Sequence, residues 1–230
     1  MSEPASLSFA EARERLSQVR ARMDAALTAA GRRPGDAELL AVSKTFPPSS
    51  VAVYRELGQL DFGENYVQEA ADKIPALPAD LRWHFIGHLQ TNKAKRAAAL
   101  FDVVHAVDSL ELAAELDKRL GLASRKMRVY VQVNVSGEDV KSGLSPDELP
   151  AFLEGLARFG RLQAQGLMTM PPYDPDPEAS RPHFRRLRDL RDRCAPQLTG
   201  LSMGMSGDFH VALSEGATVV RVGTALFGAR

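Results

Sequence analysis

Apolar and polar positions along the chain follow two periods. From Ser8 to Ala30, Phe9, Leu16, Val19, Met23 and Leu27 recur at three, four or seven residues, with charges between them. That spacing predicts an amphipathic helix over 8–30. Ser8 is placed to cap it, Glu11 to complete a capping box, and "GRRPGD" to end it. Beyond residue 37 short apolar runs alternate with helical stretches. The runs are "ELLAVSK", "LDFGEN", "RWHFIGH", "DVVHAVDS", "RVYVQVNVS", "LQAQGLMTM", "GLSMGMS" and "TVVRVGTALFG". Helical patterns fill 48–57, 66–73, 92–100, 110–120, 146–159, 179–193 and 209–214. Alternation of this kind predicts right-handed βαβ units and a parallel sheet. Eight runs predict a closed (β/α)8 TIM barrel over 37–230, with the N-terminal helix added; an open doubly wound sheet is the competing arrangement. No linker or change of composition divides the chain, so a single domain over 1–230 is expected. The longest loop is "MTMPPYDPDPEASRP", 168–182.

A parallel barrel carries its active site at the C-terminal ends of its strands. Polar residues and glycines collect there: Lys44 after strand one, "GEN" at 63–65, "GHLQTNK" after strand three, "NVSGEDVKSG" after strand five, and "GMSGD" after strand seven. Loops are polar in general, which accounts for the acids and serines. It accounts less well for Arg221, set among Val219, Val220 and Val222.

Lys44 ends a run of four apolar residues, although an ammonium resists burial. A lysine desolvated at a barrel mouth loses affinity for its proton and becomes a nucleophile toward aldehydes. The structural alternative is a salt-bridged or snorkelling lysine. "GMSGDF" and "RVGTALFG" supply glycines and the hydroxyls of Ser206 and Thr224 at the two strands where barrels often hold phosphate. Each glycine alone would also serve a tight turn. A Schiff-base lysine facing a phosphate cradle fits two chemistries: a class I aldolase acting on a phosphorylated sugar, or pyridoxal 5′-phosphate held by the lysine.

Bulk properties narrow the field. The 230 residues balance 29 Lys and Arg against 29 Asp and Glu, so nothing points to nucleic acid or an anionic membrane. The one cysteine, Cys194, excludes an internal disulfide and fits a reducing compartment. No apolar run approaches the roughly 20 residues that span a bilayer, and the N-terminus does not read as a signal peptide. The expected location is the cytoplasm. No metal site is expected.

"AVSKTFP", "FGENYVQEA", "WHFIGHLQTNK", "VNVSGEDVKSGL", "GLMTMPP" and "LSMGMSGDF…GATVVRVGTALFGAR" together resemble the YggS/PROSC-type pyridoxal phosphate homeostasis proteins. The match runs in order from about Leu39 to the C-terminus. The resemblance implies a fold-type III barrel like the N-terminal domain of alanine racemase. It implies that Lys44 forms the aldimine with pyridoxal 5′-phosphate, that Asn65 lies beside the cofactor ring, and that Ser206, Gly223 and Thr224 hold the phosphate. It also implies that Arg221 faces the pyridine nitrogen, where a guanidinium leaves the ring largely unprotonated and a weaker electron sink. Met168 is placed with these cofactor contacts and Met170 beside it; plain core packing is the alternative for both. The family often carries an acidic pair where this chain has Gly207 and Asp208. His84, His88 and Gln90 fall in a family motif without an assigned step, and His84 reads as a satisfied barrel residue. His105, Cys194 and the helix "RPHFRRLRDLRDR", read as a solvated outer face, carry no assigned chemistry.

The expected role is a carrier: a monomer that holds the cofactor reversibly and passes it to apo-enzymes or exchanges it with amino acids, with no catalytic residue. Racemisation needs a base on each face of the amino-acid adduct, and losing one should cost on the order of 10²–10⁴ in rate. In alanine racemase the second base is a tyrosine of the β domain, and this sequence ends at Arg230, directly after the strand-eight motif. Tyr173 is expected not to reach the mouth. A weak amino-acid racemase and a cofactor-free Schiff-base aldolase are the alternatives.

Overall fold

The computed structural model describes residues 7–138 and 142–228. Residues 139–141 of the strand-five motif, and both chain ends, lie outside the described residues. Among those described, β1 (Glu38–Val42), β2 (Asp61–Glu64), β3 (Arg82–Phe85), β4 (Val103–Val107), β5 (Met127–Gln132), β6 (Leu162–Met168), β7 (Gly200–Met205) and β8 (Val219–Val222) pair in sequence order. All are parallel, and β8 pairs back onto β1, closing the barrel. The eight apolar runs are therefore the eight strands, and the open sheet is not formed.

Helices α2 (Pro48–Glu56), α3 (Val67–Lys73), α4 (Ala94–Leu100), α5 (Leu110–Leu122), α6 (Leu149–Leu156), α7 (Arg181–Cys194) and α8 (Phe209–Ser214) follow the first seven strands, and α1 (Phe9–Ala29) precedes them all. The α1 start is the one expected: Ser8 Oγ accepts the Glu11 amide at 3.3 Å, and the Ser8 amide donates to Glu11 Oε2 at 3.2 Å. Leu16, Val19, Met23 and Leu27 bury one face against α2, α8 and a short helix α9 (Thr224–Phe227). Each such side chain contributes roughly 1.5–3 kcal/mol on burial. Arg15 adds a hydrogen bond from Nη1 to the Leu226 carbonyl at 3.2 Å. Strand eight is expected to contain "RVGT", residues 221–224 of the run "TVVRVGTALFG". It is strand only to Val222, and α9 follows, because Gly223 turns the chain away from the sheet.

Side chains alternate across the barrel wall with the period of two that a strand imposes. Leu40, Val42, Ile86, Val103, Tyr130, Met168 and Val219 form one cluster inside the barrel. Ala41, Val220 and Val222 pack instead in the larger layer between barrel and helices. Arg221, on the same side of β8 as Val219, is thereby carried to the interior, opposite Leu40 of β1 in register.

Candidate functional site

A cavity of about 360 Å³ opens at the C-terminal ends of the strands. Lys44, Asn65, Ser206, Arg221, Gly223 and Thr224 all line it. Two sides of its wall are built differently.

On the β1–β2 side, Lys44 stands two residues beyond β1, between two residues held by a buried ion network. Ser43 Oγ donates to Glu64 Oε1 at 2.7 Å. Lys73 Nζ, from α3, donates to the same oxygen at 2.6 Å, to Glu69 Oε1 at 2.7 Å and to the Ser43 carbonyl at 2.8 Å. Glu69 Oε1 also accepts the Thr45 amide at 2.6 Å. Thr45 has φ 69°, a costly conformation for a β-branched residue that persists only when its surroundings impose it. Both neighbours of Lys44 are thus fixed. Burial raises the Glu64 carboxyl above the usual range although Lys73 pulls the other way. Asn65 follows Glu64, and its Oδ1 is buried without a hydrogen-bond partner among the described residues. Such an orphan acceptor at a cavity wall is satisfied when a donor enters. Gly87 keeps this turn in place, since a Cβ there would lie 2.3 Å from the Asn65 carbonyl oxygen.

On the β7–β8 side, Ser206 Oγ accepts the amides of Gly223 at 3.1 Å and Ala225 at 3.4 Å, which leaves its own hydroxyl hydrogen to be donated. Gly204, with φ 93°, lets α8 close onto β7, where a Cβ would meet Ala212 Cβ at 2.5 Å. Asp208 pins the turn: Oδ1 accepts the Met205 amide at 2.6 Å, and Oδ2 accepts from Ser180 Oγ at 2.9 Å. Its position in the variable acidic pair is therefore structural. Thr224 is exposed at the rim. Arg221 is 3% exposed, and its Nη1 donates to Ser202 Oγ at 2.7 Å, its Nη2 to the Thr169 carbonyl at 2.9 Å. Among the described residues no carboxylate pairs with it. Burial lowers its pKa to about 10, so the guanidinium stays charged at neutral pH.

Met168 does not line the cavity. It is fully buried in the barrel cluster beneath, while Met170, two residues beyond the strand end, reaches the wall. Tyr173 departs from expectation as well. It is highly exposed, yet it and Asp174 line the mouth, carried there by the proline-rich segment. His84 is buried and bonded to His105 and Asp61, as a satisfied barrel residue should be. His88 is exposed and lies 4.0 Å from Asp108. Three arginines of α7 are not simply solvated: Arg181, Arg185 and Arg188 converge on the buried Glu215. Lys73, Glu69 and Ser202 carried no expectation. The signal for Lys73 was its spacing of four from Glu69.

A closed parallel barrel with a lysine and a serine-bonded glycine turn at its mouth defines a class, and comparison with known proteins narrows it. The family described as alanine racemase, N-terminal domain, matches residues 15–230. The chain belongs to this family. It is 45% identical to the pyridoxal phosphate homeostasis protein of Aquifex aeolicus, over 94% of this chain and 97% of that one. It is 46% identical to the protein of the same name from Pseudomonas aeruginosa, over 94% and 95%. Among solved structures, PipY of Synechococcus elongatus PCC7942 with PLP bound superposes with a TM-score of 0.81 at 38% identity, over 94% of this chain and all of that one.

Proposed function

We propose that this protein binds pyridoxal 5′-phosphate reversibly in the β-strand mouth and serves cofactor homeostasis. The observation that carries the reading is the joint placement of Lys44, Arg221 and the Ser206–Gly223 turn on one cavity wall. The names of the homologues and the PLP-bound PipY structure support it.

The cofactor, when bound, supplies an aldehyde carbon that an unprotonated amine can hold covalently and reversibly, with loss of water. Lys44 supplies the amine. Ser206 donates its hydroxyl to the phosphate, and Thr224 and the turn around Gly223 close on the same group. Asn65 would stand beside the ring, its unpartnered Oδ1 open to a donor. Arg221 offers only N–H donors to the pyridine nitrogen and keeps its own proton, so the ring gains little capacity to draw electrons. That environment suits retention better than turnover. The carrier works, in this reading, as a cytoplasmic monomer that yields its cofactor to apo-enzymes or to amino acids.

Absorption tests the reading. Wild type loaded with the cofactor should absorb near ~420 nm, and Lys44→Ala should lose that band. A band retained in the variant would show that another amine is the anchor.

Weak racemase activity is a second reading, favoured by the phenol of Tyr173 at the mouth. It predicts exchange of the amino-acid α-proton with deuterated solvent, and inversion at that carbon that is lost in Tyr173→Phe. Absence of exchange in the wild type would remove it.

A further inference from the structure

Beneath the cavity, polar side chains run through the barrel beside its aliphatic cluster. Ser202 Oγ, which accepts from Arg221, is 2.8 Å from His105 Nδ1. His105 Nε2 is 3.0 Å from His84 Nδ1, and His84 Nε2 is 3.2 Å from Asp61 Oδ1. Asp61 also takes Arg82 through both oxygens, at 2.6 and 2.5 Å. Ser202, His105 and His84 are all buried. Arg221 lines the upper cavity, whereas His84 lines a second cavity of about 280 Å³ that includes residues 35–38, at the start of β1. The chain of contacts therefore joins the two faces of the barrel.

Its direction is determined by what each group can do. Arg221 only donates, and an ionised Asp61 only accepts. Burial works against the Asp61 charge, but the hydrogen bonds from His84 and Arg82, with the Arg82 charge, outweigh it and hold the carboxyl at about 2. His84 Nε2 must then carry a hydrogen, which leaves Nδ1 of a neutral ring bare. His105 Nε2 donates to that atom, leaving its own Nδ1 to accept the Ser202 hydroxyl. The Ser202 oxygen is thereby free to accept from Arg221. Burial keeps His105 well below the usual histidine range and so neutral. The other groups facing the rings are Arg128 and Glu38 at the lower cavity and Tyr130, stacked on His105 at 4.5 Å.

We propose that Ser202, His105, His84 and Asp61 are positioning residues for Arg221: a one-way hydrogen-bond chain, anchored at the far face of the barrel, that fixes the guanidinium's plane toward the cavity. Nothing in the cofactor's own binding surface contains the three lower members. The inference rests on the cofactor reading only for what Arg221 meets; the chain stands without it.

The test is ¹⁵N NMR of the histidine rings in cofactor-free wild type at neutral pH, joined to cofactor titration of variants. His84 and His105 should both show a protonated Nε2 and a bare Nδ1. Ser202→Ala should raise the Kd for pyridoxal 5′-phosphate about tenfold, and Ser202→Thr should restore it. His84→Gln, which touches neither the upper cavity nor Arg221, should also weaken binding and should change the His105 ring signals. A protonated Nδ1 on either ring, or an unchanged Kd in a folded Ser202→Ala protein, would overturn the proposal. Should Ser202→Ala fail to fold, the ring measurement on wild type decides. Wild type that takes up no cofactor would defeat the preceding reading, and the ring signals would still judge the chain.

Discussion

Two buried cations flank the cavity, and they are satisfied in opposite ways. Lys73 is 4% exposed and has Glu64 and Glu69 within 2.7 Å. Arg221 is 3% exposed and, among the described residues, has only a hydroxyl and a carbonyl as hydrogen-bond partners. Charge on the first is cancelled where it stands. Charge on the second, felt by Asp208 across the cavity but bonded to no carboxylate among the described residues, is left to act on what enters, because a buried guanidinium without such a bond is costly. The comparison separates an ion cluster that holds the backbone around Lys44 from a cation that serves the ligand.

Lys73→Met should break that comparison most severely. Removing one partner leaves the buried Glu64 carboxylate uncompensated, which costs about 3–5 kcal/mol. Urea unfolding should show the loss, and Arg221→Met should be far less destabilising because it strands no carboxylate. Equal losses would mean the two cations do the same work.

Next in size is the phosphate turn. Ser206→Ala combined with Thr224→Val removes two charge-assisted hydrogen bonds of roughly 1.5–3 kcal/mol each, so cofactor retention should fall well over tenfold. The ion cluster should be undisturbed, and the midpoint of unfolding should barely move. Unchanged retention would place the phosphate elsewhere.

Acid should sharpen the distinction with a smaller effect. Asp61 ends the hydrogen-bond chain from Arg221, and its folded-state pKa is depressed to about 2. Stability from this group is complete above the unfolded value of roughly 4 and is lost as pH falls from there toward about 2. The loss should be about 2 kcal/mol in acid titrations of stability, and absent in Asp61→Asn. An identical acid profile in that variant would show that the carboxylate is not held by His84 and Arg82.

The barrel was legible because parallel strands buried on both faces read as apolar runs whose polar residues gather at one end. Lys44 and Arg221 were legible for the same reason: each is a cation where an apolar run should exclude one. Lys73 was not, since a lysine four residues after a glutamate on a short helix looks like a solvated pair. Met168 and Met170 share a face of their segment, and sequence cannot say which of two such residues falls below the cavity floor. Tyr173 lies in a proline-rich stretch with no period, where no rule of alternation aims a side chain. His84, His105 and Ser202 come from three strands, and only closure of the barrel lines them up.

The central claim is that residue 44 provides the amine that holds the cofactor. Borohydride reduction of the loaded protein, followed by mass measurement and peptide location, tests it directly. One pyridoxyl phosphate per chain, on the peptide containing Lys44, is the predicted result. A modification located on another lysine, or none in protein that has bound the cofactor, would contradict it.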